Sequence, residues 1–225
     1  MQTDQVFGRR DMDPRQALQA KSIEYPTRDG RPMGESDDHR DEMKDYLINV
    51  LKDFFQGDAN VYVSGNNFLY YTEGVPGDCV CPDVYVVRGV PNHQRDIYRV
   101  WEEGGHSPSF VIEVSSKNTR MEDLGEKMAK YREVLGVREY FLFDPRADWI
   151  PTRLRGFLLQ EGVYQPIAAG PSGRLSSGEL GLELASVGRH LRLYVPGATD
   201  PLPTREEEVR RLRAELDRLR GGDRP

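Results

Sequence analysis

Two short runs in the middle of the chain, FVIEVS at 110–115 and EYFLFD at 139–144, bracket a stretch with helical periodicity. Both are rich in β-branched and aromatic residues and short enough to be buried strands. Between them, from about Met121 to Leu135, the residues Leu124, Met128, Tyr131 and Leu135 fall within one narrow stripe at about 100° per residue. Gly136 stops that helix, and Pro145 closes the second strand. A strand, a helix and a second strand at this spacing read as a right-handed crossover, and hence as part of a mixed sheet.

The flanking sequence extends this unit. Upstream, Met43, Tyr46, Leu47, Val50, Leu51 and Phe54 recur at spacings of three and four and predict an amphipathic helix over His39–Phe55. Ser36, Asp37 or Asp38 can cap it, and Gly57 ends it. Strand-like runs follow at 61–65, 68–72 and 84–87, and others lie at 153–159, 162–168 and 190–195. The expected fold is α/β: a mixed central sheet flanked by two helices and extended by C-terminal strands. Residues 1–21 are polar and without clear periodicity, so the expected domain runs from about 22 to 196. Past Pro196, the linker GATDPLPT leads to REEEVRRLRAELDRLR within the segment 197–225. There Val209, Leu212, Leu216 and Leu219 have the three–four–three spacing of a short coiled-coil seam. Such a helix is either a dimer contact or a solvated end.

Composition narrows the function. With 31 basic and 37 acidic residues the net charge is −6, which argues against a protein held on nucleic acid by bulk charge. A local basic groove or a bound metal ion is still compatible with that balance. No stretch approaches the roughly 18 apolar residues of a membrane span, and the N-terminus lacks the apolar run of a secretory signal. Cys79 and Cys81 are one residue apart, too close for an unstrained disulfide, so a reducing cytoplasm is the expected compartment.

Three charged residues stand where charge is expensive. In FVIEVS, alternation puts Phe110, Ile112 and Val114 on one face and Val111, Glu113 and Ser115 on the other. Glu113 is therefore a carboxylate within an apolar run and needs a partner, usually a cation. Asp83 follows a proline and precedes VYVV, and it poses the same problem. Two such acids on neighbouring strands could hold one divalent metal through oxygen, or each could form a structural ion pair. On the following helix, Lys127 lies on the flank of the apolar stripe, where a lysine is normally avoided. It either snorkels to water or reaches the two acids.

Taken together, CPDVYVV and SFVIEVSSKNTRMEDLGEKMAKYREVLGVREYFLFDP resemble the Uma-two family, a bacterial group in the restriction-endonuclease-like superfamily. EYPTRDGRPMGESDDHR upstream and RLYVPG downstream are similar to the same family. The resemblance implies a restriction-endonuclease-like core and metal-dependent hydrolysis of phosphodiester bonds in DNA, with Mg²⁺ or Mn²⁺ as cofactor. Asp83 takes the position of the superfamily's signature aspartate, and Glu113 that of its second acid. The superfamily lysine two residues beyond is replaced here by Ser115, and Lys127 is the matching cation, with Lys117 ranked after it. Glu35 resembles an acid that some members supply from the first helix, and the Val114 carbonyl matches a further metal ligand. The alternative implied by Ser115 and the acidic net charge is a nuclease-fold protein that no longer cleaves and serves as a dimeric scaffold.

Other residues carry weaker signals. His39 could face the site but reads first as a surface residue. Tyr131 reads as packing, with its hydroxyl on a polar partner, before any catalytic role. Arg120 and Lys117 could contact phosphate. Cys79 and Cys81 with His93 and His106 match no common zinc spacing. Asp144 reads as a strand end and turn cap. Residues 88–109 form a long connection that Tyr98 and Trp101 would anchor.

Overall fold

The computed structural model describes residues 23–27, 38–115 and 119–221, with side chains except at 38–42 and 221. Helix α1 spans Asp38–Phe54 and buries Met43, Leu47, Val50 and Leu51. Phe54 was expected on the buried stripe; it is exposed, and Phe55, one residue past the helix end, is buried instead. Twelve strands follow among the described residues: β1 Val61–Ser64, β2 Leu69–Tyr70, β3 Cys79–Val80, β4 Val84–Arg88, β5 Tyr98–Arg99, β6 Phe110–Val114, β7 Glu139–Phe143, β8 Leu154–Gln160, β9 Val163–Pro166, β10 Leu175–Ser177, β11 Leu182–Val187 and β12 His190–Tyr194. The predicted crossover segment forms α2 (Arg120–Leu124), α3 (Glu126–Ala129) and a π turn over Lys130–Val134. Helix α4 covers Arg205–Gly221.

The central sheet has the order β1-β4-β6-β7-β8-β9. Only β6 and β7, the strands joined by the crossover, run parallel within it, with Phe110 opposite Glu139 and Val114 opposite Phe143. The mixed sheet predicted from the sequence is therefore present. Alternation sorts its side chains as expected. Val84, Val86, Phe110, Ile112 and Val114 pack towards α1 and the β10-β11-β12 sheet. Tyr85, Val87, Val111 and Leu142 pack with Tyr131 and Leu135 on the opposite face.

A small β3-β2-β5 sheet borders the second face, and it organises residues 88–109. Tyr98 is fully buried there, and its hydroxyl donates to the His106 carbonyl at 2.7 Å. Arg95 lies 4.4 Å over the Tyr62 ring and makes a two-point pair with Glu103. Trp101 rests on Tyr25, 5.3 Å between ring centres. The strands β3, β5, β10 and β11 were not among the predicted elements. The first two are only two residues long and leave no periodicity to read, and β10 and β11 are diluted by Ser and Ala.

The two sheet layers on the α1 side are tied at one buried carboxylate. Glu139, at the start of β7, accepts hydrogen bonds from the Ser177 hydroxyl, the Gly178 amide at 2.7 Å and the Glu179 amide at 3.3 Å. Ser177 Oγ in turn accepts from the Leu180 amide at 3.1 Å. Removing this carboxylate would strand those buried donors without an acceptor. Glu139→Ala is expected to cost about 2–3 kcal/mol of unfolding free energy. Urea denaturation measures this, and a loss below about 0.5 kcal/mol would show that the joint does not hold the layers together.

Candidate active site

Asp83 sits one residue before β4, with its backbone fixed from the β1–β2 loop. The Asn66 amide donates to the Pro82 carbonyl at 2.9 Å. A Cβ on Gly65 would stand 2.0 Å from the Asp83 carbonyl oxygen, so only glycine allows this approach. The Asp83 carboxylate accepts from the Val114 amide at 2.8 Å through Oδ2 and pairs with Lys44 of α1 at 3.2 Å through Oδ1. The two acid-bearing strand ends are thus stitched together beyond the last ladder pair, Val84 with Ile112.

Glu113 is 1% exposed on the face predicted for it. Its Oε1 accepts from the Tyr131 hydroxyl at 2.6 Å, and its Oε2 accepts from Lys127 Nζ at 3.1 Å. Lys127 also reaches Asp123 Oδ1 at 3.4 Å, and the Ser115 hydroxyl donates to Asp123 Oδ2 at 2.5 Å. Asp123 is itself buried, and its backbone carbonyl accepts from the Tyr140 hydroxyl at 2.9 Å. Lys127 does not snorkel away, and Tyr131 directs its hydroxyl to a polar partner as expected.

The helix bearing Lys127 departs from the predicted continuous one. It breaks at Gly125, where φ is −104° and ψ −100°, and where a Cβ would lie 2.7 Å from the Met121 carbonyl oxygen. Leu124 was expected on the buried stripe; it is 39% exposed, and Asp123 turns inward instead. A π turn then carries Tyr131 into the core, closed by the Leu135 amide on the Lys130 carbonyl at 3.1 Å. Asp123 and Lys44 are the charged residues that sequence reasoning missed. Asp123 was hidden by the assumption of unbroken 3.6-residue periodicity. For Lys44 the sequence carried no signal, because the contact joins two elements far apart in the chain.

The electrostatics follow from burial. Burial, and then the charge of Asp83, push the Glu113 pKa up to about 8 against the pull of Lys127. Burial opposes the Lys127 charge, yet Glu113, Asp123 and Asp83 together hold its pKa above the ordinary lysine value. Charge is thus favoured on the ammonium and disfavoured on the carboxyl beside it. Burial, and then Glu113, raise Tyr131 well above the usual tyrosine range, which keeps its phenol a donor. Cys81, an exposed residue at this end of the sheet, has its thiol pushed up to about 11 by local burial and by Asp83 and Glu113.

Asp83 and Glu113 offer oxygen donors of the kind Mg²⁺ and Mn²⁺ take. Among the described residues, no group of three or more His, Cys, Asp or Glu side chains is arranged to hold a metal. Mg²⁺ commonly uses only one or two protein carboxylates and keeps its waters, so the donor pair fits it. Glu35 and Lys117 lie outside the described residues, as does the His39 side chain. Arg120 opens α2 and is half-buried. Asp144 ends β7 as expected and accepts from the amides of Trp149 at 2.8 Å and Ile150 at 3.0 Å. Cavities of about 410 Å³ beside Gly156 and about 570 Å³ beside Tyr46 lie away from Asp83, Glu113 and Lys127. Among the described residues no helix is long and apolar enough to cross a membrane.

Residues 14–192 match the family described as "Uma2: Putative restriction endonuclease". The chain belongs to the Uma2 family, the one its motifs resemble. Among solved structures it is similar to one described as a "putative nuclease belonging to DUF820 from Anabaena variabilis". The two share 13% identity and a TM-score of 0.47, over 66% of this chain and 76% of the other. No curated protein matches.

The Glu113 shift fixes a sign for pH dependence. An acid whose pKa is higher folded than unfolded holds its proton in the native state, so folding is favoured at low pH and loses that contribution as pH rises. The window runs from the ordinary value of 4.5 to about 8. In the presence of a chelator, the melting temperature of wild type is expected to fall relative to Glu113→Gln as pH rises across this window. Parallel melting curves at every pH would rule the shift out.

Proposed function

We propose that this protein is a divalent-metal-dependent DNA endonuclease that hydrolyses phosphodiester bonds. The observation that carries the reading is the 3.1 Å approach of Lys127 to Glu113, whose strand is stitched to Asp83 through the Val114 amide. Family membership supports the nuclease class. Asp83 and Glu113 would hold Mg²⁺ or Mn²⁺, with the Val114 carbonyl as a further donor. Such an ion, when bound, polarises a phosphate and acidifies a coordinated water.

The chain's own residues supply the rest. Lys127 provides a fixed positive charge beside the acids, where negative charge grows on phosphate oxygens in the transition state. Asp123 accepts from both Lys127 and Ser115, so it sets the direction of that ammonium. Ser115, at the position where the superfamily carries its lysine, thus remains connected to the lysine that stands in for it. Lys44 offsets the Asp83 charge and orients its carboxylate. With a net charge of −6, DNA would be met by local cations at this end of the sheet rather than by overall charge.

One observation favours a second reading. Asp83 and Glu113 each already hold an ammonium, Lys44 and Lys127, so neither acid depends on a metal for a cationic partner. That suits a scaffold protein that does not cleave. Calorimetric titration with Mg²⁺ or Mn²⁺ separates the two. The enzyme needs a metal site that disappears in Glu113→Ala, whereas the scaffold needs none. In a plasmid nicking assay, wild type is expected to cleave with Mg²⁺ or Mn²⁺. Asp83→Ala and Lys127→Ala should each be slower by about 10²-fold or more. Equal nicking by all three proteins would end the proposal.

A further inference from the structure

Helix α4 is fixed at one end and bare at the other. Thr204 and Glu207 form a reciprocal capping box, with Glu207 N donating to Thr204 Oγ1 at 3.0 Å and Thr204 N to Glu207 Oε2 at 2.8 Å. Glu207 also takes a two-point pair from Arg192, at 2.9 and 2.7 Å, and Arg205 makes another with Asp53, at 3.0 and 2.9 Å. Beyond this first turn the apolar residues face solvent: Val209 is 44% exposed, Leu212 51%, Leu216 45% and Leu219 63%. A capped, clamped helix with an open three–four–three apolar seam lacks a partner along that seam within the described chain.

The charges beside the seam say what the partner is. With Val209 and Leu216 at the first core position of each heptad, Leu212 and Leu219 occupy the second. Glu208 and Glu215 then flank one side of the seam, and Arg213 and Arg220 the other. In a parallel pair of such helices the flanking contacts join residues five apart, so Glu208 meets Arg213 of the second copy and Glu215 meets Arg220 of the second copy. Two-fold symmetry repeats both contacts. In an antiparallel pair like flanks meet, which would set Glu208 and Glu215 against glutamates. In the first heptad, Val209 at the first core position with Leu212 at the second suits a two-stranded rather than a larger parallel coil. Glu208 now holds Arg211 of its own helix, but that pair is exposed and can exchange at little cost.

We propose that α4 joins two copies of this chain as a parallel two-stranded coiled coil. Two heptads are marginal as a free peptide, because helix nucleation is costly. Here the capping box and the Arg192 and Asp53 clamps have already nucleated the helix in each subunit.

Sedimentation equilibrium of the full chain tests this directly. Wild type is expected at about twice 25.7 kDa, and a chain carrying both Leu212→Asp and Leu216→Asp at 25.7 kDa over the same concentrations. Replacing Glu208 and Glu215 by Arg together should raise the dimer Kd about tenfold or more. Orientation is read in a Cys79→Ser, Cys81→Ser background carrying Leu219→Cys, which mild oxidation should crosslink between subunits only if the helices run parallel. A monomeric wild type, a dimer that survives the double Asp substitution, or a dimer with no crosslink at 219 each overturns the proposal.

Discussion

A carboxylate enclosed within a β-strand is the constraint around which this molecule is arranged. Glu113 stands in the strand pair at the middle of the central sheet, with apolar residues on either side of it in sequence. Such a group is tolerated only with donors or charge in reach. The helix that crosses over β6 and β7 supplies both, a phenol from Tyr131 and an ammonium from Lys127. A second buried acid, Asp123, then becomes affordable because the same ammonium and the Ser115 hydroxyl face it. Three acids, Asp83, Glu113 and Asp123, share two ammonium groups at one end of the sheet.

The constraint was legible in the sequence because strand alternation is local. Residues 110–115 alone place Glu113 and Ser115 opposite to Phe110, Ile112 and Val114, and the structure agrees. Lys127 was legible for a similar reason, as a cation on the flank of an apolar stripe. What failed is equally specific. The stripe assumed an unbroken helix, so Leu124 was placed inside and Asp123 went unremarked. Gly125 breaks the helix and reverses the two. The role of Gly65 could not be read at all, since it depends on how closely one loop approaches the Asp83 backbone. Lys44 belongs to the same class of contact, made across a long separation in sequence.

Strand β7 links the face that bears the acid cluster to the layer behind it. At its start, Glu139 gathers donors from the turn after β10. At its end, Asp144 gathers the amides of the following loop. Between them, Phe141 and Phe143 pack on one face, while Tyr140 and Leu142 pack on the other, and Tyr140 bonds the Asp123 carbonyl. Strand β7 contributes no residue to the acid cluster, yet through Tyr140 it helps hold the helix over it.

The broken helix has a consequence for how such a site can change over generations. Asp83 and Glu113 are set by strand register, which moves only in whole-residue steps and flips every side chain when it does. Lys127 rides on a short helical piece flanked by a glycine break and a π turn, whose seat depends on the shapes of Tyr131 and Tyr140 beneath it. Substitutions under that piece act on the seat of the cation, and reach the acids through the Tyr131 bond to Glu113. Side-chain packing thus positions the cation, whereas backbone pairing positions the acids.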